Sequence, residues 1–375
     1  MRKLKVATIV GTRPEIIRLS RVVDKFDNYF DHTLIHTGQS YDYELSQIFF
    51  DDLEVRTPDV FLNAAGDTAL STIAAVISAA DQALRERAPD AVLVLGDTNS
   101  SFALLAAKKL KIPTFHMEAG NRCFDERVPE EINRRIVDHF SDVNICYSDP
   151  AREHLLNEGL PPERCFAIGS PMFEVLKFYD DKIEASDALE RMGLQRGKFF
   201  IVSFHREENV DNAKNLAEFA NLLTALCDRY GYSVILSTHP RTKKRLIEFG
   251  VTLPDLVQDL KPFAFSDYVR LQLDAAAVLS DSGTVSEEAS ILGLKALNLR
   301  EAHERHEAME GAPVMMVGRS ADRVLNALAM LEDAPTDWSF PLPPAYNVAD
   351  VSEKVARIVL SYTDVVNRDT WRKDF

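Results

Sequence analysis

Short apolar runs recur along this chain, separated by longer amphipathic stretches, and no other feature limits the fold as strongly. Leu4 to Val10, Thr33 to His36, Ala91 to Leu95, Thr114 to Met117, Val143 to Tyr147 and Phe166 to Ile168 are each only a few residues long. Runs of that length, alternating with helical patterns, are what strands buried on both faces of a parallel sheet require. After Ala185 the pattern restarts with Phe199 to Ser203, Val234 to Ser237, Ala276 to Leu279, Ala296 to Leu299 and Val314 to Val317. The expected class is α/β, with two doubly wound domains in tandem. Patterning is weakest at Asp180 to Ser186, which puts the junction near residues 170 to 185.

Composition narrows the partners. With 46% hydrophobic and 27% charged residues the chain is neither disordered nor fibrous. A formal charge of -15 sets the overall field against nucleic acid, so an anionic ligand must find local positive charge. Cys123, Cys146, Cys165 and Cys227 form no CxxC pair, so neither a disulfide framework nor a zinc site is signalled, and a cytoplasmic setting is expected. The apolar stretch ending at Val10 is cut by Gly11-Thr-Arg-Pro-Glu15 before a signal-peptide core is complete, and no run is long enough to span a membrane.

In open parallel sheets, ligands bind beyond the carboxyl ends of the strands. Polar clusters follow the apolar runs at Gly11-Thr-Arg-Pro-Glu15, Gly38-Gln39, Gly96-Asp-Thr-Asn-Ser100, Glu118-Ala-Gly120, His205-Arg-Glu-Glu-Asn209, His239-Pro-Arg241 and Asp281-Ser-Gly-Thr284. Each alone also reads as ordinary turn chemistry; together they point to a two-sided binding cleft. Amides at Ser282, Gly283 and Thr284 would meet a phosphate at a helix N-terminus, with Glu287 or Glu288 accepting from ribose hydroxyls. Plain N-capping by Ser282 or Thr284 is the alternative.

Arg13, Arg18, His205, Arg206, His239, Arg241 and Arg305 cluster on the same expected rim and would neutralise a diphosphate. For Arg18 and Arg241, a solvated surface position is the alternative. Gly11-Thr-Arg-Pro-Glu15 is not the dinucleotide fingerprint and no Walker A sequence occurs, which disfavours an NAD enzyme or a P-loop NTPase. Asp97 and Glu118 follow successive strands, with Glu130 and Glu131 soon after. Carboxylates converging in one cleft have their pKa values pushed apart, giving an acid and a base for proton abstraction from carbon. Salt bridges to Arg134 and Arg135, or a metal, are the alternatives, although no set has a recognisable ligand spacing.

Read together with His36-Thr-Gly-Gln39, His116-Met-Glu-Ala-Gly120 and Pro129-Glu-Glu-Ile-Asn-Arg134, these clusters resemble the UDP-N-acetylglucosamine 2-epimerase family, collinearly over nearly the whole chain. The resemblance implies two Rossmann-like domains facing across a cleft, a GT-B-like arrangement shared with one large class of glycosyltransferases. The boundaries expected are 1–172 for a domain carrying the catalytic carboxylates and 173–359 for a UDP-binding domain, with a C-terminal helix over 360–375 packing back on the first. The implied reaction inverts C2 of a UDP-linked 2-acetamido sugar by elimination and re-addition of UDP through a 2-acetamidoglycal, with no redox cofactor and no metal. Because H2 is not acidic, a base must act while the leaving diphosphate is stabilised in a dry cleft.

By motif, Asp97, Glu118 and Glu130 are similar to the family's catalytic carboxylates, and His205 to its catalytic or diphosphate-contacting histidine. Arg13 resembles a diphosphate contact, Ser282 and Gly283 the phosphate nest, Glu288 the ribose ligand and Arg305 a phosphate or sugar contact. Arg18, Arg206, His239 and Thr284 join them on the substrate side, and Tyr268 falls where an aromatic residue packs near uracil. The implied partners are a UDP-sugar and a second copy in a homodimer, with no nucleic acid or membrane.

Where many members have Ser-Gly-Gly, Gly-Gln-His and Glu-Arg-Pro-Glu, this chain has Ser282-Gly283-Thr284, Gly38-Gln39-Ser40 and Glu304-Arg305-His306-Glu307. The stretches Phe115 to Asp125 and Arg300 to Glu310 most resemble the branch that makes UDP-N-acetyl-L-fucosamine from UDP-2-acetamido-2,6-dideoxy-β-L-talose. The competing readings are a UDP-N-acetylglucosamine to UDP-N-acetylmannosamine epimerase, hydrolysing or not, a glycosyltransferase of similar architecture, and a catalytically silent UDP-sugar sensor.

Overall fold

A computed structural model describes residues 2–38, 43–238, 240–311, 314–334 and 341–373, and the chain divides into two units. The first unit takes Met1–Phe178 and Asn347–Phe375; the second takes Tyr179–Tyr346. Among the described residues of the first, seven strands occur: β1 (Lys5–Val10), β2 (Asp31–His36), β3 (Val60–Phe61), β4 (Ala91–Leu95), β5 (Thr114–Met117), β6 (Val143–Cys146) and β7 (Cys165–Ala167). They pair in the order β3-β2-β1-β4-β5-β6-β7, all parallel, with Val6 opposite His32 on one side and Ala91 on the other. All five residues of β4 are buried, which is why Ala91 to Leu95 shows no polar alternation.

The second unit holds β8 (Phe199–Ser203), β9 (Ser233–Ser237), β10 (Val257–Leu260), β11 (Ala277–Ser280), β12 (Ala296–Asn298) and β13 (Val314–Met316) in the order β10-β9-β8-β11-β12-β13, again all parallel. Successive residues of β8 serve opposite helix layers. Phe199 and Ile201 pack with Leu271, Val285 and Ala289, whereas Phe200 and Val202 pack with Leu216, Phe219 and Leu223 from the helix Ala213–Tyr230. Both units are therefore doubly wound α/β sheets, as the apolar runs predict.

In each sheet the strand order reverses beside the first strand, so crossovers leave β1 and β4, and likewise β8 and β11, in opposite directions. Loops at the carboxyl ends of those strands part there, which is where ligands bind in open parallel sheets. The residues so placed are Gly11 to Arg13 and Gly96 to Asp97 in the first unit, and Phe204 to Arg206 and Asp281 to Gly283 in the second.

Two edge strands escape the apolar pattern. β3 has only two residues, and β10, Val-Gln-Asp-Leu, is only partly covered, so neither carries a buried-strand signature. The terminal helix runs Val351–Asp369, and its buried stripe of Val351, Val355, Val359, Thr363 and Val366 starts well before residue 360. It packs on the helix Arg13–Tyr29, and Glu174 accepts the Ser352 amide at 2.8 Å. This packing returns the chain to the first unit at Asn347. Among the described residues no helix is long and apolar enough to cross a membrane.

Candidate functional site

In the first unit the β1 loop is built for close approach. A Cβ on Gly11 would stand 2.0 Å from Ser100 Oγ and 2.1 Å from Thr37 Oγ1, so only glycine lets this loop reach the one after β4. Glu15, in the first turn of the next helix, accepts from the amides of Gly11 (2.5 Å) and Thr12 (3.1 Å), and the Thr98 hydroxyl donates to its other oxygen. One buried carboxylate thus ties the loop carrying Arg13 to the loop carrying Asp97.

Burial pushes the Glu15 carboxyl up to about 7, while the Thr98, Gly11 and Thr12 donors pull the other way. An acid raised above its ordinary 4.5 stabilises the fold while protonated; that contribution is full below about 4.5 and is lost as pH rises through about 7. Glu15→Gln is neutral throughout. Its unfolding free energy is expected to vary less than wild type's across that window, by on the order of 3 kcal/mol. Urea unfolding at a series of pH values checks this, and parallel profiles would remove Glu15 as their source.

Asp97 follows β4 and Gly96, whose φ is +76°. Its Oδ2 receives Arg134 Nε at 3.0 Å and Nη2 at 2.5 Å, and Asn133 Nδ2 donates to its carbonyl at 2.9 Å. Glu118 follows β5 with φ +66°, a left-handed conformation that costs a non-glycine residue about 1 kcal/mol or more. Its Oε2 meets Arg18 Nη1 at 2.5 Å and Tyr147 Oη at 3.5 Å, and lies 3.7 Å from where a Cβ on Gly96 would stand. The Asp97 and Glu118 loops are therefore neighbours. Arg18 is 5% exposed and faces this carboxylate, which answers the surface alternative.

Glu130 is half-buried on the first turn of the helix Pro129–Phe140, which also supplies Asn133 and Arg134. Glu131, beside it, turns inward. It is fully buried and accepts from the Cys123 amide at 3.0 Å and from Arg134 Nη1 at 2.9 Å. Burial alone would raise its pKa, but the Cys123 amide and the Arg134 and Arg122 charges hold it below the usual carboxylate range. Glu131 is a loop anchor.

In the second unit the organising group is Asp281, which the sequence placed in a motif without a role. Fully buried, it accepts from the amides of His205 (3.1 Å) and Arg206 (2.9 Å) and from Asn209 Nδ2 (3.0 Å). His205 Nδ1 lies 3.2 Å from its Oδ1 and 3.3 Å from Ser203 Oγ, so the half-buried ring has one edge fixed. A carboxylate at one ring nitrogen selects the tautomer that has its proton there.

The N-cap of the helix Thr284–Leu292 is Gly283, with no side-chain cap, and the Ser282 hydroxyl just before it accepts from the Thr284 amide at 3.3 Å. A Cβ on Gly283 would stand 2.5 Å from Glu304 Oε1, an oxygen also shared by Arg206 Nη2 and Arg300 Nη1, each at 3.3 Å. Arg305 Nη2 pairs with Glu287 at 3.1 Å, both buried. Glu288 receives Gln272 Nε2 at 2.8 Å, and Tyr268 stacks near Phe263 with ring centroids 6.5 Å apart. Arg241 is held on the surface by Asp211, and His239 lies outside the described residues. Among the described residues, no group of three or more His, Cys, Asp or Glu is placed to hold a metal.

Each unit thus presents charged groups at the carboxyl ends of its sheet: held carboxylates in the first, a fixed histidine, arginines and a helix N-terminus in the second. Comparisons with known proteins agree on what carries such sets. The family model for UDP-N-acetylglucosamine 2-epimerase matches residues 24–360. A solved UDP-N-acetylglucosamine 2-epimerase from Rickettsia bellii is 50% identical, with 99% of this chain and 100% of that one covered and a TM-score of 0.92. The Methanocaldococcus jannaschii UDP-GlcNAc 2-epimerase, solved in complex with UDP-GlcNAc and UDP, is 31% identical over 96% of this chain and 100% of that one, with a TM-score of 0.89. The UDP-2,3-diacetamido-2,3-dideoxy-D-glucuronate 2-epimerase of Pseudomonas aeruginosa is 32% identical over 86% of this chain and 91% of its own length.

Proposed function

The chain belongs to the UDP-N-acetylglucosamine 2-epimerase family, and from that premise we propose that it inverts UDP-2-acetamido-2,6-dideoxy-β-L-talose at C2 to UDP-N-acetyl-β-L-fucosamine, for capsule or O-antigen synthesis. The coarser activity, isomerisation of a UDP-sugar at C2, is the family's. Relatives at 31 and 32% identity bear the names of different sugars, whereas the 50% identical structure bears that of UDP-N-acetylglucosamine, so the talose reading rests on this chain's own residues. What supports the talose reading is the pair of stretches 115–125 and 300–310. The first carries Phe124, 63% exposed in the loop after Glu118, an apolar ring suited to a sugar with a methyl group at C6. In the second, His303 and His306 lie with ring centroids 5.0 Å apart, where many members have no histidine at the second position.

The carboxylates of the first unit work at the sugar and the loops of the second hold UDP. H2 leaves as a proton to a carboxylate, and the C1–O bond breaks with its electron pair going to UDP, leaving a C1–C2 double bond. A proton returned to the opposite face of C2, with UDP oxygen re-adding at C1, completes the inversion. Arg13, Arg206, Arg305 and the Ser282 to Thr284 turn stabilise the charge that develops on the diphosphate. Held carboxylates beside one another at two strand ends are the observation that carries this chemistry.

Proton NMR in D2O tests it, with the talose and the N-acetylglucosamine nucleotides in parallel tubes. Deuterium at C2 of a sugar still joined to UDP, in the talose tube only, is the expected result. Exchange only with UDP-N-acetylglucosamine would put the second reading first, a UDP-N-acetylglucosamine to UDP-N-acetylmannosamine epimerase, which the Rickettsia bellii name favours. Free UDP and reducing sugar would mean a hydrolysing enzyme. We take the working form to be a homodimer, as the family resemblance implies, and light scattering checks that. Four free cysteines suit a cytoplasmic setting.

A further inference from the structure

Behind the Asp97 and Glu118 loops lies a charge cluster that the chemistry above does not use. His116, Arg122 and Asp138 are fully buried, and Glu158 closes the group at its edge. His116 Nδ1 is 2.9 Å from Asp138 Oδ1, and Nε2 is 2.9 Å from the Gly96 carbonyl oxygen. Asp138 also accepts from Arg122 Nη1 at 2.7 Å and from the Gly120 amide at 3.3 Å. The far side of Arg122 binds Glu158 through Nε and Nη2, at 2.8 and 2.7 Å.

The proton on His116 Nε2 follows from its partner. A carbonyl oxygen can only accept, so Nε2 donates. Burial works against ionisation of Asp138, but the His116 hydrogen bond and the His116 and Arg122 charges hold it below the usual carboxylate range. Asp138 Oδ1 at Nδ1 fixes the ring from its other edge. Around them Arg122 meets both Asp138 and Glu158, His139 Nε2 lies 3.2 Å from Glu158, and the Cys146 thiol is kept neutral by burial.

We propose that His116 is a positioning residue for the epimerisation. It grips the Gly96 carbonyl just ahead of Asp97, and its partner Asp138 grips the Gly120 amide just after Glu118. Gly96 is also held by its amide to Met117 O at 3.0 Å and by Ser101 Oγ to its carbonyl at 2.9 Å. Gly96 and Glu118 both have left-handed backbones, and such conformations persist when their surroundings over-determine them. Through this clamp the two carboxylates keep one spacing. The inference rests on the proposed roles of Asp97 and Glu118, whereas the hydrogen bond from His116 Nε2 stands apart from any activity.

Two measurements separate these. In wild type with 15N-labelled imidazole rings, one histidine, identified by its loss in His116→Gln, is expected to carry its proton on Nε2, facing the Gly96 carbonyl. An unprotonated Nε2 at that position would overturn the proposal even if the enzyme turns over. In kinetics, His116→Gln and Asp138→Asn are expected to lower kcat by about tenfold or more with KM within about threefold, as for an interaction made only in the transition state. Unchanged kcat in a folded variant, or a rise in KM alone, would overturn the positioning role. Should those variants fail to fold, Ser101→Ala removes the other side-chain donor to the Gly96 carbonyl, and kcat equal to wild type there would overturn it. Wild type inert towards every UDP-sugar would sink the functional reading and leave the Nε2 proton as predicted.

Discussion

Glu118→Gln is expected to lower kcat by about a hundredfold to ten-thousandfold while leaving UDP affinity within about threefold of wild type. Glutamine keeps the shape of the side chain and loses the charge and the proton affinity, while the loops proposed to hold UDP lie in the other unit. Calorimetric titration of UDP and the C2 exchange rate measure the two effects separately. One complication is built into the site: Arg18 is buried against this carboxylate, and removing one partner of a buried pair destabilises the fold by itself. Glu118→Asp therefore accompanies it. Aspartate preserves the charge for Arg18 but withdraws the carboxylate by about one bond length, so the protein should stay folded and still lose most of its turnover. Wild-type turnover in a folded Glu118→Gln protein would take Glu118 out of the mechanism.

Gly120→Ala is expected to cost about 3 kcal/mol or more, enough to lower the yield of folded protein sharply. The glycine has φ +83°, and a Cβ there would stand 2.1 Å from the carbonyl oxygen of Ala151 and 2.8 Å from its carbon. These are backbone atoms at the start of the helix Asp149–Asn157, so relief means moving a helix. The Gly120 carbonyl is engaged as well, with His154 Nδ1 at 2.9 Å. Gly159→Ala is the control: its φ is +87° but nothing stands within 4 Å of an added Cβ, so it should cost only about 1 kcal/mol. Thermal unfolding of both compares crowding with strain. Equal losses would show that the close approach at Gly120 is not what demands glycine.

The architecture was legible because central strands buried on both faces need uninterrupted apolar residues, as in Ala91 to Leu95, and those stand out between helices. Edge strands lack that need, which is why Val60–Phe61 and Val257–Leu260 went unread. Polar clusters at strand ends could be listed from the sequence because strand ends are where chain direction and ligand access coincide. Their pairings could not. Arg18 and Glu118 are far apart in sequence, and a charged residue on an amphipathic helix looks like a surface residue until its partner is known. Asp138 was hidden in the same way, on a helix that also carries Glu130 and Arg135, whereas the salt bridges from Arg134 and Arg135 were readable as an alternative and are present at Asp97 and Glu131. Asp281 was visible in its motif, but its role depends on amides from the β8 loop, which only the parallel pairing of β8 with β11 brings within reach.

The terminal helix Val351–Asp369 has a bearing on how the molecule is made. The first unit is interrupted by the whole of the second, so a ribosome has released both sheets before the segment that covers the helix Arg13–Tyr29 emerges. Until then the face of that helix on which Val351–Asp369 packs waits for cover, whereas the second unit is encoded without interruption and can mature first. Synthesis therefore finishes the later-encoded body before the earlier one, and the nascent chain carries an exposed apolar face for most of its elongation. That face is where a chaperone would be needed.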